Sequence, residues 1–292
     1  MSHEWYAPEL ASGFARLDEI ACPDPWFRVF AVTDNLFVLH EPRHYEGVNA
    51  YLLVGDGGAI LIDTGCGIGD LRAVVSSLTR EPVTVVNTHT HLDHVAANDR
   101  FDEIMMLDHP FTRRLAAEGA SNLALSRDLL APHLVEGPWP PGFDPARAIL
   151  PPFHVHRFLA DGEIVAVGGR ELEVISTPGE AADHVCLLER SAQTLFCGDI
   201  LLHGAVWSHL EHGSIEQLAA SYGTLLAHAD EFDVLMPSHS EPGLPVDLLS
   251  EAAAGAERIL GGSTDPTCET DPWGRRYRRH AFERISILEA VL

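Results

Sequence analysis

The sequence contains no lysine, and all 19 of its Lys and Arg side chains are arginines, against 43 Asp and Glu. The formal net charge is -24. A polyanion such as DNA or RNA is repelled by this charge unless a local basic patch offsets it. The basic cluster GRRYRRH, residues 274–280, is better explained as a solvated or self-paired C-terminal segment. We therefore expect no nucleic-acid partner.

Long apolar runs and paired cysteines are also absent. No apolar run approaches the roughly 20 residues that span a bilayer, and residues 1–19 lack the cationic and apolar segments of a secretory signal. The cysteines are odd in number, scattered and without C-x-x-C spacing, which excludes a disulfide framework and a zinc ribbon. They are Cys22, Cys66, Cys186, Cys197 and Cys268. We expect a cytoplasmic protein that does not bind membranes.

Apolar runs separated by turn signals predict alternating strands and helices. Strands are expected in residues 49–65 (a hairpin), 82–88, 170–179, 184–199 (a second hairpin) and 232–239, and helices in 68–78, 214–228 and 246–260. The two hairpins are similar, since each ends in an apolar strand followed by Asp and Gly. We predict an α/β protein with two facing sheets and outer helices, a four-layer αβ/βα sandwich. Residues 1–262 would form this domain, with a Pro-rich insertion near 129–158, and residues 263–292 a C-terminal extension packed on it.

The segment VTVVNTHTHLDHVAAN, residues 83–98, places three histidines and an aspartate directly after an apolar strand. Alternate residues of an extended chain point the same way, so His89 and His91 can share one metal while Asp93 and His94 address a second. Without metals, partial burial of these groups would cost a few kcal/mol for each badly paired one. The spacing therefore indicates a metal site.

Three further ligand candidates stand at the ends of other strands: His184, Asp199 and His239. Together with the first cluster they supply the nitrogen and carboxylate ligands that two divalent cations require. His184 would complete the first site and His239 the second, with Asp199 bridging. We expect two ions, zinc before manganese or iron, and a shared hydroxide as the nucleophile, with Asp93 orienting it or carrying its proton.

These motifs resemble those of the metallo-β-lactamase superfamily. HTHLDH, TPGEAADH, FCGD and PSHSEP follow one another between Asn49 and Glu241, and the earlier IDTG matches an element in which Asp63 supports the metal loop. Relatives often carry a histidine directly after TPG, where this chain has Glu180. The resemblance implies the metallo-β-lactamase fold and a hydrolase that uses two metals.

Within the superfamily, Asp199 resembles the bridging ligand of the glyoxalase II, thioesterase and lactonase branches. The opening EWYAPEL, residues 4–10, is similar to acyl-CoA thioesterases. We therefore expect a small-molecule substrate with a thioester or related ester bond, and a lactone as the alternative. Lactonases that resemble this chain have a tyrosine where Leu202 stands. A β-lactamase, a mono-iron persulfide dioxygenase and a non-catalytic metal-binding scaffold are further alternatives, whereas a Ser-His-Asp hydrolase is disfavoured because no G-x-S-x-G motif occurs.

The sequence does not assign a role to two segments, the Pro-rich insertion and residues 200–213. The Pro-rich insertion is either a rigid connection or a cap over a pocket. Its histidines His154 and His156 precede a strand, so we do not expect them to be ligands. In residues 200–213, four side chains either line the substrate pocket or pack in a loop: His203, Trp207, His209 and His212. The sequence leaves open whether the protein is a monomer or a homodimer.

Overall fold

The computed structural model describes residues 10–291, which form two compact units. The first contains the described residues up to Leu159 together with Ala166–Arg170, and the second contains Ala160–Val165 and the described residues from Glu171 onward. Residues 1–9 lie outside the described part of the chain, and with them most of EWYAPEL and part of the stretch on which the expectation about a secretory signal rests.

The first unit is built on an eight-stranded sheet in which the strands follow one another in chain order. The strands are β1 (Asp18–Ile20), β2 (Arg28–Thr33), β3 (Leu36–His40), β4 (Asn49–Val54), β5 (Ala59–Ile62), β6 (Val83–Val86), β7 (Glu103–Leu107) and β8 (Arg157–Leu159). The first five pair antiparallel, and β5 to β8 pair parallel. The helices are α1 (Leu71–Leu78), α2 (Leu92–Val95), α3 (Pro110–Glu118) and α4 (Asn122–Asp128).

The second unit contains two sheets. The strands β9 (Ile164–Val167), β10 (Arg170–Ser176), β11 (Val185–Glu189), β12 (Thr194–Gly198), β14 (Val234–Pro237) and β15 (Leu244–Pro245) form a sheet of order β15-β14-β12-β11-β10-β9. The strands β13 (Gly204–Ser208), β16 (Thr267–Thr270), β17 (Arg276–Ala281) and β18 (Ile285–Ala290) form the other, of order β13-β18-β17-β16. The helices α5 (Ile215–Ala227) and α6 (Asp247–Leu260) complete the unit.

Each unit has its own apolar core. The residues of β5, β11 and β12 are buried throughout, which explains why their sequences are continuously apolar and do not alternate. Both predicted hairpins are present as β4–β5 and β11–β12. The predicted helix at 246–260 is confirmed as α6, and the helix at 214–228 as α5, with Ser214 as its N-cap: its Oγ accepts a hydrogen bond from the Gln217 amide at 3.2 Å.

The first predicted helix starts later than expected, at Leu71 instead of residue 68. Asp70 caps it by accepting a hydrogen bond from the Ala73 amide at 3.0 Å. Gly67 has a φ of +70°, a conformation that a helix does not contain. The side chain of a capping aspartate competes with helical hydrogen bonding before the cap, so the helix begins immediately after it.

The C-terminal segment is a sheet that the sequence analysis did not predict. Strand β18 pairs in parallel with β13, about 80 residues earlier in the chain. In the basic cluster, Arg278 lies 3.2 Å from Glu289 and Arg279 lies 3.0 Å from Glu269. The cluster is thus self-paired at these two arginines, while Arg276 is exposed.

The Pro-rich segment is attached to the first unit. The Arg43 guanidinium donates to the Glu136 carbonyl, the Tyr45 amide donates to the Leu134 carbonyl, and His44 Nε2 lies 2.8 Å from the Leu129 carbonyl oxygen. A role as a cap stays a prediction. Within residues 10–291, no helix has the length and apolar character needed to cross a membrane.

Candidate functional site

In each unit, polar side chains gather where neighbouring parallel strands end. Strand β5 pairs in parallel with β6, and Asp63 and the histidine cluster follow them. Strand β12 pairs in parallel with β14, and Asp199 and His239 follow them. Because the carboxyl ends of parallel strands meet at one edge of a sheet, each unit brings its candidate ligands together there. This explains the similarity of the two hairpins in the sequence.

The first unit collects His89, His91, Asp93 and His94 into what we call the first ligand set. The rings of His89 and His91 have centroids 4.6 Å apart, and those of His89 and His94 are 4.1 Å apart. His94 Nε2 lies 3.2 Å from the Asp93 Oδ2 atom. The single-turn helix α2 begins directly after His91 and contains Asp93 and His94 at adjacent positions.

Asp63 orients this set through contacts with Thr88 and His94. Its Oδ1 atom accepts a hydrogen bond from the Thr88 amide at 2.8 Å, and its Oδ2 atom lies 2.8 Å from Thr88 Oγ1 and 2.9 Å from His94 Nδ1. Thr88 Oγ1 lies in turn 3.0 Å from His89 Nδ1. Both imidazoles are therefore held through Nδ1, which leaves Nε2 as the ligating nitrogen. Asp63 is fully buried with a φ of +61°, a strained conformation of the kind found at functional sites.

A buried network of side-chain amides fixes the backbone of the first set. The His94 carbonyl accepts from Asn87 Nδ2 at 3.0 Å and from the Thr64 amide at 2.8 Å. Asn98 Nδ2 donates to Asn87 Oδ1 at 2.9 Å, and Thr64 Oγ1 donates to Asn98 Oδ1 at 2.8 Å. The sequence analysis did not single out these residues. NTHTHLDHVAAN contains both asparagines, but a lone amide side chain gives no spacing signal.

Glu41 is a second buried carboxylate near the first set that the sequence analysis missed. It accepts hydrogen bonds from the Trp26 indole and, at 2.8 Å, from the Cys66 amide. Burial raises the pKa of Glu41 to about 7, although these two hydrogen bonds act in the opposite direction. Because Cys66 follows Asp63 by three residues, Glu41 holds the turn that carries Asp63.

The second unit collects His184, Asp199 and His239 into the second ligand set. His239 Nε2 lies 3.1 Å from Asp199 Oδ2. His184 Nδ1 lies 2.8 Å from Thr177 Oγ1, and the Asp199 amide donates to His184 Nε2 at 3.1 Å. The hydroxyl of Thr177 donates to Cys186, so it accepts from His184 Nδ1 and fixes the ring as it fixes His89 in the first unit.

Glu180 joins the second set, which the sequence analysis did not predict. It is 1% exposed, and a ligand atom of Glu180 lies within 4.8 Å of one of Asp199. The sequence signal was present, since Glu180 stands in the TPG motif four residues before His184. The superfamily resemblance implies a histidine at this position and therefore gives no role to a glutamate there.

The donor atoms of both sets fit a divalent metal. In a tetrahedral zinc site with bonds of about 2.0–2.1 Å, neighbouring ligand atoms lie roughly 3.3 Å apart. The Asp93–His94 and Asp199–His239 pairs, at 3.2 and 3.1 Å, match that separation. Buried imidazoles and carboxylates without bulk water are the donors that such cations take.

The other candidate histidines lie outside both sets. His154 and His156 are exposed, and the expectation that they are not ligands stays a prediction. His203 Nδ1 lies 3.0 Å from Glu241 Oε1, and His209 Nε2 lies 3.3 Å from Asp271 Oδ2. Trp207 packs edge-on against Trp273 with ring centroids 5.6 Å apart. Roles for His203 and Trp207 in substrate binding stay predictions.

The family model described as the metallo-beta-lactamase superfamily matches residues 45–230, which is more than half of the chain and includes six of the seven predicted ligands. The chain belongs to the metallo-β-lactamase superfamily. The family resemblance of the motifs is thereby confirmed. His239 lies beyond the matched residues, so its inclusion rests on the second ligand set.

Several superfamily members are similar to this chain over most of its length. The protein named acyl-coenzyme A thioesterase MBLAC2 is 25% identical over 228 residues in Gallus gallus, covering 73% of this chain and 80% of that protein. Its Homo sapiens counterpart is 25% identical over 231 residues, covering 73% of this chain and 81% of that protein. The probable metallo-hydrolase YqgX of Bacillus subtilis is 24% identical over 216 residues, covering 70% and 88%.

Solved structures of the superfamily share the fold. The metallo-beta-lactamase from Pontibacter korlensis has a TM-score of 0.57 at 19% identity, covering 79% of this chain and 99% of that one. The MIM-2 metallo-beta-lactamase has a TM-score of 0.58 at 20% identity, covering 87% and 98%. The predicted fold class, the α/β metallo-β-lactamase fold, is confirmed.

Proposed function

We propose that the protein is a metal-dependent hydrolase that cleaves the thioester bond of a small acyl thioester. The observation that carries this proposal is the orientation of three buried imidazoles, those of His89, His94 and His184, through their Nδ1 atoms. That arrangement presents Nε2 as a metal ligand in both units. The thioester is favoured because the similar proteins include ones named acyl-coenzyme A thioesterase.

The two ligand sets would together hold two divalent cations. His89, His91 and His184 would bind one ion, Asp93, His94 and His239 the other, and Asp199 both. Support for combining the sets comes from the family match, which runs through both units. When bound, such cations act as Lewis acids that polarise a carbonyl and lower the pKa of water.

Asp93 is the residue proposed to move the proton. Asp93 is 8% exposed, and its Oδ2 atom lies 3.2 Å from His94 Nε2. As water attacks the acyl carbon, the Asp93 carboxylate accepts the proton that the water loses. The carbon–sulfur bond then breaks, and the proton passes from Asp93 to the leaving sulfur, which gives an acid and a thiol.

A substrate panel tests this function. Metal-free protein would be reconstituted with zinc, manganese or iron and assayed on acyl thioesters, lactones, β-lactams and phosphodiesters, with oxygen uptake recorded. Thioesters should be cleaved fastest, and a chelator should abolish turnover. His89→Ala should lose activity, whereas His154→Ala, at an exposed histidine outside both sets, should keep it. Faster turnover of a lactone or a β-lactam, oxygen uptake, or metal binding without any turnover would reject the thioesterase assignment.

A further inference from the structure

The Glu180 carboxylate has no function in the thioesterase chemistry described above. It is as deeply buried as His89, His94 and His184, and its ligand atom lies within 4.8 Å of that of Asp199, itself only 8% exposed. Two buried carboxylates so close cannot both be ionised at low cost unless a cation lies beside them or one of them holds a proton. A divalent cation beside the two carboxylates would remove this cost.

The loop that carries Glu180 is held rigidly by the second unit. The Gly179 carbonyl accepts hydrogen bonds from Ser208 Oγ at 2.7 Å and from the Ser214 amide at 2.9 Å, and the Pro178 carbonyl accepts from Ser221 Oγ at 2.7 Å. These donors belong to the end of β13 and to the start and middle of α5. A carboxylate on a loop fixed at three points is preorganised for binding, because little side-chain or backbone freedom is lost when a ligand arrives.

The neighbouring His184 is held at Nδ1 by Thr177, and its Nε2 atom lies 3.1 Å from the Asp199 amide nitrogen. Glu180, in the same loop, has a carboxylate oxygen within 4.8 Å of a ligand atom of Asp199. The loop thus contributes an anionic oxygen donor in addition to a neutral nitrogen donor.

We propose that Glu180 is a metal ligand of this protein and that it shifts the preference of the centre from zinc toward manganese. Two dications carry four positive charges, and Asp93, Asp199 and Glu180 together supply three negative ones. Carboxylate oxygens favour harder cations such as manganese, whereas imidazole favours zinc. The proposal rests on the metal-binding part of the proposed function and is independent of the substrate.

Metal affinity of Glu180 variants tests this inference without an activity assay. Metal-free wild type, Glu180→Gln and Glu180→His would be titrated with Mn²⁺ and with Zn²⁺ by calorimetry, and bound Mn²⁺ would be followed by electron paramagnetic resonance. Glu180→Gln should bind Mn²⁺ at least roughly 10-fold more weakly, since even disturbing an outer partner of a metal site costs 10–100-fold. Glu180→His should weaken Mn²⁺ binding while keeping or improving Zn²⁺ binding.

The matched control is Glu189→Gln, which removes another buried carboxylate from the opposite end of β11. It should bind both metals as wild type does. Unchanged Mn²⁺ affinity and resonance spectrum in Glu180→Gln would overturn the proposal. If that variant does not fold by circular dichroism, Glu180→His decides: wild-type Mn²⁺ affinity in it overturns the proposal equally.

Failure of the thioesterase proposal would look different. In that case wild type would bind two metals in a Glu180-dependent way but would not cleave thioesters. Conversely, thioester turnover with metal binding that is insensitive to both Glu180 variants would leave the proposed function standing and reject the role of Glu180.

Discussion

Asp63 is the residue on which the orientation of the first ligand set depends. Asp63→Asn keeps the size of the side chain and tolerates the positive φ, because asparagine adopts that region readily. However, the asparagine side chain replaces one carboxylate oxygen by an NH2 group. That NH2 group is itself a donor, so it cannot accept the hydrogen bonds that Asp63 receives from Thr88 and His94. We expect a loss of metal affinity of about 10–100-fold. Competition with a chelator measures it, and Asp56→Asn, in the exposed turn between β4 and β5, is the control. Equal affinities of wild type and Asp63→Asn would refute this role.

The buried Glu41 carboxyl group should make the free energy of unfolding depend on pH. Its folded-state pKa of about 7 lies above the ordinary value of 4.5, so the folded protein binds this proton more tightly than the unfolded chain does. The associated stability is present below pH 4.5 and is lost as the pH rises to about 7. In metal-free protein, the free energy of unfolding of wild type should fall by about 3 kcal/mol more over this window than that of Glu41→Gln.

Denaturant unfolding at several pH values measures this difference. The exposed Glu118→Gln variant should retain the wild-type pH dependence. If wild type and Glu41→Gln have the same dependence, Glu41 is ionised in the folded state throughout and burial does not dominate its pKa.

Single residues were predictable from the sequence where spacing marked them. The H-x-H-x-D-H run and the strand-end residues His184, Asp199 and His239 have a pattern that metal chemistry explains. Glu41 and Trp26 were not predictable, because their contact joins residues in separate segments and neither belongs to a spaced motif. Glu180 follows the TPG motif in the sequence, but its role as a candidate metal ligand is apparent only from its burial beside Asp199 in the structure.

At the scale of elements, helix α5 packs closely against the TPG turn, residues 177–179. Gly179 has a φ of +144°, and a Cβ atom there would lie 2.5 Å from Leu218 Cα of α5. Gly179→Ala should therefore lower the free energy of unfolding by about 1–3 kcal/mol through strain and overpacking. Gly223 lies within α5, and a Cβ atom added there would meet open space. Gly223→Ala should therefore stabilise the protein by roughly 0.5–1 kcal/mol. Urea unfolding of both variants measures this contrast, and an unaltered stability of Gly179→Ala would contradict the tight packing of the turn on α5.

The elements that the sequence predicted are those with a local signal, such as a continuous apolar run or a capping residue. Strands β5 and β12 are continuously apolar, and α5 has a serine N-cap. In contrast, the arginines of β17 mask its strand pattern in the sequence. Tyr277 and His280 are buried, while Arg278 and Arg279 between them pair with carboxylates. Its sheet also depends on β13, which lies far away in the chain, and local periodicity carries no information about such a pairing.

The whole molecule combines a strongly negative charge with two sets of buried metal donors. The charge of -24 and the self-paired arginines of the C-terminal sheet agree with the expectation that the protein does not bind nucleic acid, which stays a prediction. The expected small-molecule substrate and the cytoplasmic location are likewise predictions, and the choice between monomer and homodimer stays open. Each depends on surfaces or surroundings outside the two ligand sets.

The central claim is that both ligand sets hold metal, and the number of ions per chain tests it most directly. Plasma mass spectrometry would count the metal bound to wild type and to Asp199→Asn after reconstitution with excess zinc or manganese and removal of free metal. Asp199 would neutralise part of the repulsion between two close dications, and its replacement by asparagine removes that charge. The account predicts two ions per wild-type chain and one per Asp199→Asn chain, with the fold of the variant intact. No more than one ion in wild type, or two retained in the variant, would contradict it.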